Sequence, residues 1–116
     1  MCKVSRGSII LCEVPHSDFN PHAHAGLHYY VIVANNAACQ HSPVVQAVPC
    51  SSNVNRRLPC QCEIQSNAFP RRTFALAEQL TLLPKDILER GQLKGYLSQE
   101  SLAAVERCIK VQLNLT

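Results

Sequence analysis

The sequence predicts a mainly β (α+β) protein that forms a small barrel or sandwich and ends in one helix. Short β-rich runs separated by polar turns occupy the first two-thirds of the chain, and the hydrophobic period becomes helical only after Ser98. At 116 residues the chain is long enough for one core and too short for two, so we expect a single domain over residues 1–116.

The predicted strands are runs of β-branched and aromatic residues. Residues 28–34 give the clearest signal, because their near-continuous apolar side chains indicate a central strand covered on both faces. Further strands are predicted over residues 8–13, 44–49, 58–64, 73–77 and 80–83, the last two being two strands or one bent strand. Residues 14–26 and 35–43 have turn residues and no period, so we expect loops there.

The C-terminal segment predicts an amphipathic helix that packs on the β-structure. Ser98 is a favourable N-cap, Glu100 lies in the first turn, and no Gly or Pro follows before Thr116. Apolar residues recur at helical spacing at Leu102, Val105, Cys108, Ile109 and Leu113. A short helical turn is also predicted over residues 84–89, because proline fits the first turn of a helix.

Composition narrows the class of protein. No apolar run approaches the roughly 20 residues that span a bilayer, and the apolar patch at residues 9–12 is too brief for a signal-peptide core. We therefore expect a cytoplasmic protein without a membrane segment.

The seven cysteines are an odd number, and we expect reduced thiols that act as small core residues.

The charge distribution offers two arginine pairs. The net charge of +3 is compatible with a polyanionic partner but does not require one. Arg56–Arg57 and Arg71–Arg72 lie in polar, turn-like stretches. Such pairs are either solvated surface or contacts to phosphate groups, and composition leaves both interpretations open.

Six segments follow one another in an order that is typical of one family. They are residues 4–10 (VSRGSII), 26–33 (GLHYYVIV), 42–52 (SPVVQAVPCSS), 58–64 (LPCQCEI), 76–80 (LAEQL) and 96–98 (YLS). Each segment is weak evidence alone, but together they cover nearly the whole chain. In this order they make the sequence resemble the MazF/PemK family of toxins.

The resemblance implies a fold and an activity. The fold is an SH3-like β-barrel of short antiparallel strands with a C-terminal helix, acting as a homodimer. The activity is that of a metal-independent endoribonuclease without a cofactor, which cuts single-stranded RNA by attack of a 2′-hydroxyl and leaves a cyclic phosphate and a 5′-hydroxyl. The implied partners are this RNA and a cognate antitoxin, with DNA bound only through an antitoxin complex.

The resemblance also implies catalytic positions, at which this chain departs from the family. His28 aligns with the family's catalytic arginine and Ser51 with its threonine, while residues 22–24 (HAH) stand where relatives often carry Ser-Glu-Gln. We expect His24 and His28 to act as a base–acid pair, because imidazoles suit proton transfer near neutral pH. Ser51 keeps the hydroxyl that donates to phosphate.

The predicted RNA-binding residues are basic, hydroxyl-bearing or imidazole side chains that can contact phosphate. They are Arg56, Arg57, Arg71, Arg72, Ser52 and His22. The alternative function is a catalytically degenerate homologue that binds RNA, DNA or antitoxin without cleaving, because a histidine lacks arginine's permanent, forked charge.

Two further site types use the same side chains. His22, His24 and His28, or Cys60 and Cys62 on one strand face, are candidate zinc ligands, although no CxxC or HExxH spacing supports them. Cys50 or Cys39 beside a histidine would form a nucleophile pair, which requires spatial adjacency. Direct DNA binding is disfavoured, because the chain lacks a helix-turn-helix pattern.

Overall fold

The computed structural model describes residues 3–15, 26–54 and 57–115. Within these residues the elements are β1 (Ser8–Val14), β2 (Gly26–Ile32), α1 (Asn36–His41), β3 (Val44–Ser51), β4 (Gln61–Ile64), β5 (Thr73–Leu76), β6 (Thr81–Pro84), α2 (Lys85–Arg90), β7 (Gln92–Tyr96) and α3 (Gln99–Leu113). A single 3-10 turn, Ala77–Gln79, separates β5 from β6. These bounds confirm two separate strands where the sequence left one bent strand open.

The seven described strands form one antiparallel sheet in the order β4-β5-β3-β2-β1-β7, with β6 paired to β3. The sheet is curled into a half-barrel, and α3 closes it. The long strand β3 pairs with β6 through its first half and with β5 through its end, which turns the sheet back on itself. The predicted fold class, a mainly β SH3-like barrel with a C-terminal helix, is confirmed.

Strand β2 lies at the centre of the sheet, as its sequence predicts. It pairs with β1 on one side and β3 on the other, and Tyr30, Val31 and Ile32 are almost completely buried. Val31 belongs to the core beneath α3, whereas Tyr30 and Ile32 belong to the core on the opposite face. A strand covered on both faces is apolar throughout, which explains the continuous run.

The helices cover the two faces of the sheet. Val105 and Cys108 of α3 pack into one core, and Leu88 of α2 and Cys39 of α1 pack into the other. Helix α3 begins after Ser98, whose Oγ accepts a hydrogen bond from the Ser101 amide at 3.1 Å, as the sequence predicts. No helix within the described ranges is long and apolar enough to cross a membrane.

The prediction of a loop over residues 35–43 is wrong. This segment contains α1, which begins after Asn35, whose Oδ1 accepts a hydrogen bond from the Ala38 amide at 2.8 Å. The helix ends when the Ser42 amide donates to the Ala38 carbonyl at 2.8 Å. An Asn cap followed by two alanines favours a helix, but a single buried residue, Cys39, is too little to give a hydrophobic period.

Strand β7 was not predicted from the sequence. Most of its side chains are exposed, it contains no β-branched residue, and Gly95 has a φ of 158°. It forms because it continues the sheet beyond β1, with a register shift between Ile9 and Ile10. Backbone pairing therefore determines this edge strand, and β-propensity contributes little.

Candidate active site

A cleft of about 470 Å³ opens where β2 begins and β3 ends. A cavity of this size is in the range of ligand sites in proteins. Its walls come from β1, β2, the end of β3, the segment before β5 and the first residue of β5. They are formed by Leu11, Leu27, His28, Tyr29, Cys50, Ser51, Ser52, Pro70, Arg71 and Thr73. Four residues that were predicted from the sequence, His28, Ser51, Ser52 and Arg71, thus lie around one space.

The register of the sheet brings His28 and Ser51 together. Tyr29 is paired with Cys50 across β2 and β3, so one step further along both strands places His28 opposite Ser51. Directly opposed residues share one face of an antiparallel sheet, with Cβ atoms about 5 Å apart. An imidazole and a hydroxyl from separate segments therefore lie side by side at the edge of the cleft.

The cleft wraps around the ends of the strands. Residues 27, 28 and 29 of β2 and residues 50, 51 and 52 at the end of β3 all line it. Because successive side chains of a strand point to opposite faces, a cleft over one face would use only every second residue. The lining therefore includes residues from both faces of the sheet margin.

The Ser51 hydroxyl is oriented by its own backbone. Its Oγ accepts a hydrogen bond from the Asn53 amide at 3.0 Å, in a turn that ends β3. Since this bond uses a lone pair of the oxygen, the hydroxyl hydrogen can be donated to an anionic ligand. Ser52, next to it, is exposed at the cleft.

The two residues of the Arg71–Arg72 pair have different surroundings. Arg71 is exposed at the cleft, and its guanidinium forms no ion pair with any residue of the described ranges. Its backbone carbonyl accepts a hydrogen bond at 2.8 Å from Thr73 Oγ1, which fixes the chain beside the cleft. Arg72 instead pairs with Glu63, Nε to Oε2 at 3.0 Å, and lies 5.2 Å above the Phe74 ring.

Of the remaining predicted site residues, the structure describes only Arg57. Arg57 is exposed, does not line the cleft, and its Nε donates to the Gln61 carbonyl at 3.4 Å. Arg56, His22 and His24 lie outside the described residues. The predicted pairing of His24 with His28, and zinc binding by His22, His24 and His28, therefore stay predictions.

The chain matches the family model described as PemK-like, MazF-like toxin of type II toxin–antitoxin system, over residues 5–113. The chain belongs to this toxin family. The resemblance inferred from the order of the sequence segments is thereby confirmed. No curated protein sequence matches the chain.

Several solved structures have a similar fold. An endoribonuclease in complex with its cognate antitoxin, from Mycobacterial species, has a TM-score of 0.78 at 22% identity, covering 97% of this chain and 96% of that one. MazF from Deinococcus radiodurans has a TM-score of 0.79 at 16% identity, with 96% of each chain covered. Mycobacterium tuberculosis toxin MazF-mt6 has a TM-score of 0.75 at 16% identity, with 94% and 98% covered.

A polar network anchors the chain between β3 and β4 in this PemK/MazF domain. The buried Gln61 accepts a hydrogen bond from the Leu58 amide at 3.0 Å and donates to Glu78 Oε2 at 2.6 Å. The other carboxylate oxygen of Glu78 accepts from the Cys60 thiol at 3.7 Å. Glu78, the first residue of the Glu78-Gln79 dipeptide, therefore has a structural role in this chain.

The six cysteines within the described part of the toxin domain are buried. Burial raises the pKa of Cys12 to about 11 and that of Cys62 to about 12, and it raises the pKa of Cys50, Cys39 and Cys60 as well. A protonated, buried thiol is a poor nucleophile and a poor metal ligand. This disfavours the Cys–His nucleophile and the Cys60–Cys62 zinc site, and the described residues contain no group of three or more metal-ligating side chains.

We expect these thiols to limit stability at alkaline pH. Because the folded state holds the protons of Cys12 and Cys62 more tightly than the unfolded state, their contribution is complete below the ordinary thiol pKa of 9.0 and is lost as the pH rises above it. The urea midpoint should therefore fall as the pH is raised from 9.0 to about 11. In Cys12→Ala the fall should be smaller, and an unchanged fall would contradict this assignment.

The sequence did not single out several residues that line the cleft. Leu27 and Tyr29 flank His28 in β2, and Thr73 begins β5 directly after the arginine pair. In the sequence these residues are marked only by being next to a predicted site residue. Adjacency does not show whether a side chain lines a cleft or packs in the core. The cleft therefore has an apolar wall that the sequence does not indicate.

Proposed function

We propose that this toxin domain is an endoribonuclease that cleaves single-stranded RNA. The observation that carries the proposal is the convergence of His28, Ser51, Ser52 and Arg71, from three separate segments, on one cleft. An imidazole, hydroxyl donors and a permanent cation are the groups that transfer protons and stabilise the charge of a phosphate under attack. The solved endoribonucleases that share the fold support this assignment.

In the proposed reaction the RNA supplies its own nucleophile. The 2′-hydroxyl attacks the adjacent phosphorus, the bond from phosphorus to O5′ breaks, and the products carry a cyclic phosphate and a 5′-hydroxyl. One proton leaves the 2′-oxygen and one reaches O5′, so no water is consumed. His28 acts as the acid or base in one of these two proton transfers. His24, which lies outside the described residues, is predicted to act in the other.

The charge that develops on the phosphate oxygens is met by side chains. The Ser51 hydroxyl donates a hydrogen bond and Arg71 supplies a fixed positive charge, so that catalysis requires no metal ion. Position 28 is a histidine, so Arg71 is the residue with a permanent positive charge among the described residues that line the cleft. The activity should therefore survive EDTA.

The proposed partners follow from the family. We propose that a cognate antitoxin inhibits this chain, that two copies form a homodimer, and that DNA is bound only within the antitoxin complex. The mycobacterial endoribonuclease that shares the fold was solved with its cognate antitoxin, which supports the first of these. Light scattering and co-purification with the antitoxin test them.

The experiment that tests the activity compares two serine variants. Purified protein is incubated with a long, weakly structured RNA in EDTA, and the fragments are sequenced and their 5′ ends typed. Ser51→Ala should slow cleavage roughly 10²-fold, as loss of one oxyanion donor does. Ser66→Ala is the matched control, because Ser66 Oγ also accepts from an amide two residues on, at 3.1 Å, but does not line the cleft.

Each other outcome identifies a different function. RNA that binds without being cut would indicate the catalytically degenerate homologue. Cleavage that requires added zinc would indicate a metal site at His22, His24 and His28. Equal loss of activity in both serine variants would show that Ser51 acts only through the turn that it stabilises.

The arginine pair provides a test of phosphate contact. Arg71→Ala should weaken binding to single-stranded RNA of any sequence and reduce the slope of log affinity against log salt by about 1. Arg72→Ala should change binding less, because its guanidinium is already paired with Glu63 and lies over Phe74. Fluorescence anisotropy over a salt series measures both, and an equal loss in the two variants would contradict the assignment.

A further inference from the structure

The floor of the cleft is a row of three side chains from three adjacent strands. Leu11 of β1 is paired with Tyr29 of β2, and Tyr29 is paired with Cys50 of β3. Paired residues share a face of the sheet, and all three line the cleft. Tyr29 therefore occupies the centre of the floor, one residue from His28.

The Tyr29 ring is held in place by a second aromatic ring. Phe69, buried in the core, meets it with ring centroids 5.0 Å apart and an interplanar angle of 73°. Edge-to-face packing of this kind is favourable and fixes ring orientation. A flat side chain that is already immobilised loses little conformational entropy when a ligand stacks on it.

The lining of the cleft includes both apolar and polar residues. Leu27, two residues before Tyr29 in β2, is 63% exposed, the largest exposed fraction among the large apolar side chains of the described residues. Ser51, Ser52 and Arg71 supply polar groups to the same cleft. A nucleotide likewise combines a flat base and an anionic phosphate, joined within a few ångströms.

We propose that Tyr29, supported by Phe69 and flanked by Leu27, is the platform on which the base next to the scissile phosphate stacks. Tyr29 then contributes a modest preference among RNA sites, because purines and pyrimidines stack with different strength. The proposal rests on the proposed RNA cleavage. The ligand is an unpaired base of single-stranded RNA, since a base inside a duplex has no free face.

The test measures binding of a short RNA strand that contains the identified cut site, with a 2′-O-methyl group that prevents cleavage. Tyr29→Leu should weaken binding about 10-fold, within the range for loss of one stacked base, and Tyr29→Phe should weaken it much less. Removing the base next to the cut from the RNA should cause a similar loss. Combining Tyr29→Leu with the abasic strand should add little further, because both changes remove the same contact.

Two controls separate stacking from folding. Tyr96→Leu replaces an exposed tyrosine of β7 that does not line the cleft, so it should leave binding unchanged. Leu27→Ala changes an exposed residue and should weaken binding modestly while leaving the urea midpoint unaltered. Binding of the abasic strand by the wild-type protein requires no variant, so it remains informative even if Tyr29→Leu unfolds.

The outcomes distinguish this proposal from the proposed function. If the wild-type protein neither binds nor cuts RNA, the proposed function fails and the platform fails with it. If RNA is cut but abasic strands bind as tightly as intact ones at every position near the cut, the platform alone is overturned. A loss confined to one abasic position, and absent in Tyr29→Leu, supports it.

Discussion

Replacement of His28 by alanine is expected to slow RNA cleavage by about 10²- to 10⁴-fold, the usual contribution of a positioned acid–base group. The reason is geometric, since β2 places His28 in the cleft and opposite Ser51, one step beyond the Tyr29–Cys50 pair. RNA affinity should change much less than the rate, because Arg71 and the serines remain. Single-turnover cleavage measured beside equilibrium binding separates these two effects.

Two further variants show whether position or chemistry matters at residue 28. His41→Ala removes an exposed histidine at the end of α1, away from the cleft, and should leave the rate unchanged. His28→Arg introduces the residue that the family resemblance places here, but a guanidinium stays protonated near neutral pH. It should therefore restore little of the rate that alanine loses, and full recovery would show that residue 28 acts through its charge. If His28→Ala cuts RNA as fast as wild type, the acid–base role is excluded and a different residue drives the reaction.

The sequence predicts the fold where burial leaves a pattern. Strand β2 is covered on both faces, so its sequence is continuously apolar, and α3 packs one face, so its sequence has a helical period. Helix α1 and strand β7 leave no such pattern: α1 buries only Cys39, and β7 is a largely exposed edge. Their formation depends on an N-cap and on pairing with β1, which a hydrophobic pattern does not record.

Some residues of the candidate site can be predicted from the sequence, and others cannot. His28 and Ser51 follow from the order of the family's segments, because these two positions are fixed by the ends of strands. The sequence does not distinguish Arg71 from Arg72, since the difference depends on Glu63, which pairs with Phe74 across β4 and β5. The sequence does not predict that Tyr29 lines the cleft, because a strand residue in an apolar run is expected in the core.

Replacement of Gly91 by alanine is expected to destabilise the domain by about 3 kcal/mol, the upper end for an overpacked site. Gly91 joins α2 to β7 and presses against β1. A Cβ there would lie 2.7 Å from Cys12 Cβ and 2.8 Å from the Leu11 carbonyl oxygen. Since β1 is paired on both sides, with β2 and β7, neither contact can be relieved by a side-chain rotation.

Gly7→Ala is the matched comparison, because Gly7 has a φ of +90° but no atom within 4 Å of the position of a Cβ. That variant tests backbone conformation alone and should cost about 1 to 2 kcal/mol. Urea denaturation measures both, and a smaller loss for Gly91→Ala than for Gly7→Ala would contradict the close approach.

Gly91→Ala should also slow RNA cleavage, although residue 91 does not line the cleft. The strain falls on Leu11, which forms part of the cleft floor, and on Cys12, which pairs with His28. A shift of β1 by a few tenths of an ångström would therefore reach the His28 imidazole through one strand pairing. A Gly91→Ala protein that is still folded at low temperature but cuts RNA at the wild-type rate would show that the cleft does not depend on the position of β1.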